Sequence, residues 1–245
     1  MKYALIGCGR IAVNHIKAVA NNNLDLVAVC DIDPSKFDTM FEKAGFGDFP
    51  GTERCSDYSA MLDAHPEIEL VGIATESGEH AKIALCHQNR FNLAIQKLRE
   101  ALDGGRFGTI SHGSINVRWN RGKSYYEQAP WRGTWEQYGG TLMNQCIHGI
   151  DLLRWMLGNE VEEVYGATRQ RFHDYLEAED VGVAVLKFKN GAVGTIEGTA
   201  NVYPKNLEET LYVFGETGTA KVGGTSTNNI DVWDFAEETG ADAET

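Results

Sequence analysis

A short apolar run, Tyr3 to Ile6, ends in Gly7-Cys8-Gly9-Arg10-Ile11-Ala12, and an amphipathic stretch starts inside that motif. No other feature of the 245 residues restricts the fold as strongly. A strand that turns through GxGxxA into a helix belongs to a parallel α/β unit whose helix N-terminus faces a phosphate. Gly7 permits the tight turn, Gly9 lets a pyrophosphate approach the backbone, and the small Ala12 lets helix and strand pack closely. Arg10 and Ile11 open the helix beside that phosphate. Glycines favour any such turn, so the pattern needs a second test. Asp31 meets it, ending the second apolar run (Leu26 to Cys30) 22 residues after Gly9, where a carboxylate accepts from a ribose 2′-hydroxyl. The same carboxylate repels a 2′-phosphate, so the expected cofactor is NAD rather than NADP. Asp33, just before Pro34, reads as a helix cap.

Downstream, short apolar runs alternate with helical patterns, as in a parallel sheet wrapped by helices. Strands are expected at Tyr3–Ile6, Leu26–Cys30 and Ile68–Ala74, and helices at Ile11–Ala20, Ser35–Ala44 and Asp57–Ala64. From about Ile110 the texture becomes strands with glycine punctuation: Ile110–Trp119, Val161–Arg171, Val181–Lys189, Ala192–Asn201, Leu207–Gly215 and Thr219–Gly223. Asn190-Gly191 between two of these runs is a hairpin signal. One long helix, Gly140–Leu157, interrupts them. There is no internal repeat.

Lys and Arg number 22 against 35 Asp and Glu, a net charge of −13, which argues against a nucleic acid or an anionic membrane surface as partner. The five cysteines form no zinc-type pair, no metal set is read, and the N-terminus carries neither a signal peptide nor a membrane span. The expected setting is the cytoplasm. Against this acidic background His87 to Arg132 carries eight basic and three acidic residues, or +5, leaving −18 elsewhere. Arg90, Arg121 and Arg132 lie there among aromatics that include Trp119, Tyr125 and Trp131, a combination suited to a phosphate with a ring stacked nearby. Lys97 and Arg99 read as surface positions on a short helix. On the Gly140–Leu157 helix, 100° per residue puts Asn144, His148 and Asp151 on one face. His148, flanked by an amide and a carboxylate, could be held in one tautomer as a general acid or base, or could be a capped core histidine.

The stretches ALIGCGRIAVNH, LVAVCDIDPSK, LVGIATESGEH, CHQNRFNLAIQKLREAL and GGTLMNQCIHGIDLLRWMLG resemble the glucose-fructose oxidoreductase and inositol dehydrogenase (Gfo/Idh/MocA) family over nearly the whole chain. YYEQAPWRGTWEQYGG and NVYPKNLEETLYVFGETGT are similar to its branch that oxidises C3 of UDP-N-acetylglucosamine or of its uronic acid, in surface polysaccharide synthesis. The resemblance implies that Asn144 and His148 touch the reacting sugar, that Thr75 and His80 edge the cofactor, and that Arg90, Arg121, Arg132, Trp131, Asp151, Lys205 and Asn206 serve the substrate. It also implies a homo-oligomer, because open sheets of this kind bury one face against a partner.

The fold expected is therefore α/β plus α+β: an incomplete Rossmann-like parallel sheet in residues 1–88, then an open, mainly antiparallel sheet domain in 89–245 for substrate binding and oligomerisation. It is incomplete because Leu85 runs directly into Cys86, where the family has a further strand, a Glu-Lys-Pro motif and a helix; no Glu-Lys-Pro occurs in this chain. The family's lysine beside the reacting hydroxyl thus has no matching position. A non-catalytic nucleotide-sugar or NAD-binding relative, and an inositol or simple-sugar dehydrogenase, stand as alternatives.

Overall fold

Most of the expected strands and helices are present, with their ends shifted by a residue or two. The structure is a computed structural model that describes residues 1–46, 49–75, 87–237 and 242. The chain divides into two compact units, Met1–Ile83 and Ala84–Thr245.

In the first unit β1 (Lys2–Ile6), β2 (Asp25–Cys30), β3 (Glu53–Cys55) and β4 (Leu70–Ile73) form a parallel sheet of order β3-β2-β1-β4. The run KYALI lacks polar alternation because β1 is covered on both faces. On one side Leu5 joins Ile16 and Val19 of α1 (Ala12–Asn21) and Phe37, Met40 and Phe41 of α2 (Lys36–Ala44); on the other Ala4 and Ala28 meet Met61 of α3 (Tyr58–Ala64). Each large apolar side chain so buried contributes about 1.5–3 kcal/mol. The Asp57 carboxylate caps α3 by accepting from the Ala60 N–H at 3.0 Å. β3 was not expected: it is three residues long, and two of them are charged.

The second unit is built on a seven-stranded sheet of order β11-β10-β9-β5-β8-β7-β6. It comprises β5 (Ile110–Arg118), β6 (Val161–Arg169), β7 (Val181–Phe188), β8 (Val193–Thr199), β9 (Glu208–Gly215), β10 (Gly218–Gly223) and β11 (Asn229–Phe235). Central β5 runs parallel to β8, and every other pairing is antiparallel. Asn190-Gly191 closes the β7–β8 hairpin, with the Phe188 N–H donating to Ala192 O at 3.0 Å. β11 lies beyond the last strand read from the sequence.

Ile115 and Val117 of β5, Ile196, Leu211 and Val213 face α4 (Leu93–Asp103) and α7 (Ile147–Leu157), with Ile95, Leu98, Leu152 and Leu153 closing the core. A Cβ on Gly149 would lie 2.8 Å from Ile115 Cγ1, so the missing side chain lets α7 rest directly on β5. The opposite sheet face, reached by the alternate residues, leaves Tyr165, Val183, Val185 and Val193 exposed.

After the one-turn α5 (Lys123–Tyr126), the single helix expected over Gly140–Leu157 is two helices, α6 (Gly140–Asn144) and α7, separated at Gln145 and Cys146. Both of those N–H groups donate to Thr141 O, at 2.9 and 3.1 Å, and the ladder resumes only with Ile150 N–H to Cys146 O. This widened turn carries one extra residue, so the 100° arithmetic does not run through it.

Candidate functional site

In the first unit the glycine turn joins β1 to α1. Gly7 has φ +89°, its N–H donates to Cys30 O at 2.7 Å, and a Cβ there would stand 2.7–2.8 Å from the Ala74 and Thr75 backbone. Only glycine fits. A Cβ on Gly9 would meet nothing within 4 Å, so the motif is packed at its first glycine and open at its second, where a phosphate is expected. Arg10 and Ile11 are exposed beside it.

Asp31 follows β2 and is 8% exposed. Its Oδ2 accepts from the Cys8 N–H at 2.8 Å, and its Oδ1 from the Asp33 N–H at 2.9 Å and from Lys36 Nζ at 3.1 Å. Burial works against its charge, but the two N–H donors and the ammonium hold the carboxyl below the usual carboxylate range. Asp33 closes the turn before α2, accepting from the Ser35 N–H and hydroxyl. Beside Asp31, Ile32 is 88% exposed, an apolar platform the sequence reading did not single out. The Thr75 hydroxyl is buried without a hydrogen-bond partner among the described residues. An open glycine, an ionised carboxylate, an exposed apolar side chain and an orphaned hydroxyl together fit an adenine dinucleotide. His80 and the Leu85 to Cys86 junction lie outside the described residues.

In the second unit His148 opens α7, and burial, then the neighbouring His87, push its imidazole below the usual histidine range while Asp151 acts the other way. Its ring partner is His87, which the sequence reading did not single out: the two Nδ1 atoms are 3.3 Å apart. His87 Nε2 stands 3.7 Å from Asp151 Oδ1. Arg90 and Asp151, both expected at the substrate, are joined to each other by two hydrogen bonds of 2.6 Å, and the Arg90 guanidinium lies 4.7 Å from the Trp155 ring centroid. Arg99, read as plain surface, is 5.2 Å from the same centroid and donates to Trp155 O.

The widened turn between α6 and α7 points Gln145 into a polar network. Gln145 Oε1 accepts from Arg121 Nε at 2.7 Å, while its Nε2 donates to Asn144 Oδ1 at 2.7 Å and to the Tyr125 hydroxyl at 2.8 Å. Arg132 donates to that same hydroxyl and stacks 4.2 Å from the Tyr125 centroid and 4.7 Å from that of Trp131. Arg121 also donates to Asn206 Oδ1 at 3.0 Å and stacks on Trp119 and Tyr125. Asn144, Arg121, Arg132, Trp131 and Asn206 are thus brought together; Lys205 is exposed in the adjoining loop.

Most of the basic segment is neutralised. Arg90, Arg99, Arg106, Arg118 and Lys123 pair with Asp151, Asp103, Asp242, Glu197 with Glu208, and Glu127. Arg121 and Arg132 instead bond neutral groups and have no carboxylate within ion-pair distance among the described residues. Arg132 Nε is buried without a partner. Two uncompensated guanidiniums among aromatic rings can take an anion with a planar group.

The family description "Oxidoreductase family, NAD-binding Rossmann fold" matches residues 1–92, and "GFO/IDH/MocA C-terminal domain" matches residues 95–221. The chain is similar to the WlbA dehydrogenase of Bordetella pertussis, crystallised with NADH and UDP-GlcNAcA, at 35% identity and a TM-score of 0.86 over 99% of this chain and 84% of that one. The corresponding enzyme of Chromobacterium violaceum, in complex with the same two ligands, is 34% identical with a TM-score of 0.86 over 100% of this chain and 80% of that one. D-apiose dehydrogenase of Rhizobium rhizogenes is 25% identical over 80% of this chain and 65% of that protein. Myo-inositol 2-dehydrogenase of Thermotoga maritima is 24% identical over 89% of this chain and 74% of that protein. This chain thus spans about two thirds to three quarters of these curated relatives.

Proposed function

This chain belongs to the Gfo/Idh/MocA oxidoreductase family, and from that premise we propose that it is an NAD-dependent dehydrogenase oxidising the C3 hydroxyl of a UDP-N-acetyl amino sugar, UDP-GlcNAc or its uronic acid, in surface polysaccharide synthesis. The observation that carries the reading is the pair Arg121 and Arg132, which have no carboxylate partner among the described residues and are tied through Gln145 and Tyr125 to Asn144. A neutral polyol has no use for two free guanidiniums, whereas a diphosphate or uronate does. The 34–35% identity to dehydrogenases crystallised with UDP-GlcNAcA supports the same substrate class.

Gly7, Gly9, Arg10, Ile11, Asp31 and Thr75 would hold the dinucleotide, its phosphates at the N-terminus of α1 and its ribose on Asp31. The bound nicotinamide would accept the hydride leaving the sugar carbon. His148 takes the proton of the same hydroxyl, which it can do because burial keeps the ring neutral at physiological pH. Asn144, its Oδ1 held by Gln145, keeps its amide N–H groups for the sugar oxygen. Arg121, Arg132 and Lys205 meet the anionic parts of the substrate, with Trp131 and Asn206 as walls. The exposed sheet face of Val183, Val185 and Val193 receives a second copy of the chain, making a homo-oligomer. The same reading assigns a cytoplasmic setting; among the described residues no helix is long and apolar enough to cross a membrane.

The missing Glu-Lys-Pro segment favours a second reading, a protein that binds the same ligands without turning them over. One experiment separates the two: NAD is mixed with UDP-GlcNAc or its uronate and absorbance is followed at about 340 nm, the ordinary NADH band, alongside calorimetric binding. Turnover that falls about 10²–10⁴-fold in His148→Ala establishes the dehydrogenase. Binding without turnover, unaffected by His148→Ala, establishes the binder. If Arg121→Ala and Arg132→Ala leave sugar affinity unchanged, the nucleotide sugar is wrong and a simple-sugar or inositol substrate takes its place.

A further inference from the structure

His87 sits just before a 3-10 turn, Gln88–Phe91, which together with the following Asn92 is tied to β9, to α7 and to the turn between β10 and β11. Asn89 Nδ2 donates to Glu209 Oε1 on β9 at 3.1 Å, Arg90 forms its bidentate pair with Asp151 on α7, and Asn92 Nδ2 donates to Ser226 O at 2.9 Å. The imidazole is therefore carried on a fixed support, edge-on to His148 with the ring planes at 80°.

We propose that His87 is a positioning residue that sets the tautomer of His148, so that Nε2 of His148 is the basic nitrogen. This rests on the reading of His148 as the proton acceptor. When both rings are neutral, an Nδ1 to Nδ1 contact of 3.3 Å needs one donor and one acceptor. Asp151 decides which. Its Oδ1 lies 3.7 Å from Nε2 of His87, and the carboxylate is paired with the Arg90 guanidinium. A carboxylate favours the N–H of the ring edge that faces it, so His87 carries its proton on Nε2 and offers a lone pair at Nδ1. His148 then donates from Nδ1 and keeps its lone pair on Nε2. This reverses the tautomer a free histidine side chain prefers in water. The charged and titratable groups facing the pair are Asp151 from α7 and Arg90 from the turn; behind the turn stands Glu209 of β9, bonded to Asn89. When Nε2 of His148 takes the hydroxyl proton, the Nδ1–H is already in place against His87, with a carboxylate on the far side of that ring. No rotation of the imidazole is required.

The test uses the full chain labelled with 15N at histidine, without NAD or sugar, observed by long-range proton-nitrogen correlation well above the His148 titration; His148→Gln identifies the resonance. The unmodified chain is expected to show His148 as the Nδ1–H form, and His87→Phe, which has a ring but no acceptor, to return it to the Nε2–H form. With substrate, His87→Phe should lower kcat about 10-fold or more with KM unchanged. An Nε2–H form in the unmodified chain overturns the inference, even if the variant fails to fold, and so does an Nδ1–H form that survives in His87→Phe. The Nδ1–H form in a chain without turnover upholds the role of His87 and removes only the dehydrogenase reading.

Discussion

Arg90 and Asp151 hold each other through two parallel hydrogen bonds of 2.6 Å across 61 residues of sequence. Asp151 is 8% exposed, so its charge has little water to fall back on, whereas the Arg90 side chain is 34% exposed and partly solvated. Removing the guanidinium strands the carboxylate. Arg90→Ala should therefore lower unfolding free energy by about 2 kcal/mol, between the values for exposed and fully buried pairs, as read from the denaturant midpoint. Affinity for UDP should stay as it is. An Arg90→Ala chain of normal stability and poor sugar binding would make Arg90 a substrate contact after all.

The two glycines of the first turn separate stability from binding. Gly7→Ala places a methyl group within 2.8 Å of the Ala74 and Thr75 backbone, just after β4, at φ +89° and should cost about 3 kcal/mol or more. Gly9→Ala meets no protein atom within 4 Å, so melting should be nearly unchanged while NADH affinity, followed by fluorescence, drops about tenfold or more. Equal losses of stability in the two variants would mean that the space at Gly9 is not kept for a ligand.

The glycine turn and the strands behind it are legible because their signals are local: β1 is a continuous apolar run, Gly7 is demanded by its own φ, and Asp31 follows at a fixed spacing. β3 gives no such signal, being a three-residue edge strand. The break at Gln145 and Cys146 escapes periodicity because a helical wheel assumes an unbroken ladder, and the turn is held open by Arg121 reaching Gln145 from 24 residues away. His87 was not picked out for the same reason. A lone histidine outside any periodic run acquires its meaning only when the fold brings His148 and Asp151 to its two ring nitrogens. Charge counting located the basic segment correctly but could not say which arginines are already paired; that depends on Glu197, Glu208 and Asp242, all distant in sequence.

Glu209 gives a pH dependence with a definite sign. The residue is 1% exposed, Oε2 has no hydrogen-bond partner among the described residues, and burial pushes its carboxyl up to about 7, only partly offset by the Asn89 amide. Between the unfolded value, near 4.5, and about 7 the folded chain binds the extra proton, so stability falls as pH rises through this window and levels off above it. The fall attributable to this group is on the order of 3 kcal/mol. Glu209→Gln removes the titration, so its unfolding free energy relative to the unmodified chain should improve from pH 5 to pH 8, measured by denaturation at matched ionic strength. A constant difference across that range would show that Glu209 does not titrate there.

The uncovered face of the large sheet leads to the last expectation. Val183 and Val185 alternate along β7 with residues that face the helices, and they are 52% and 40% exposed, with Tyr165 of β6 and Val193 of β8 beside them. Such a patch across β6, β7 and β8 is costly to leave in water, because each apolar side chain forgoes about 25 cal/mol for every Å² left uncovered. Arg118, Glu197 and Glu208 add an ion-paired cluster on the same face that can sit at the rim of an interface without being stripped of partners. A second copy of this chain meets both needs through one self-complementary surface. Light scattering should give a particle that is a whole multiple of 27.0 kDa, and Val183→Glu with Val185→Glu should reduce it to the single chain without disturbing NADH binding, since neither residue lies in the glycine-turn unit. A single-chain mass for the unmodified protein at micromolar concentration would leave that face without its assigned partner.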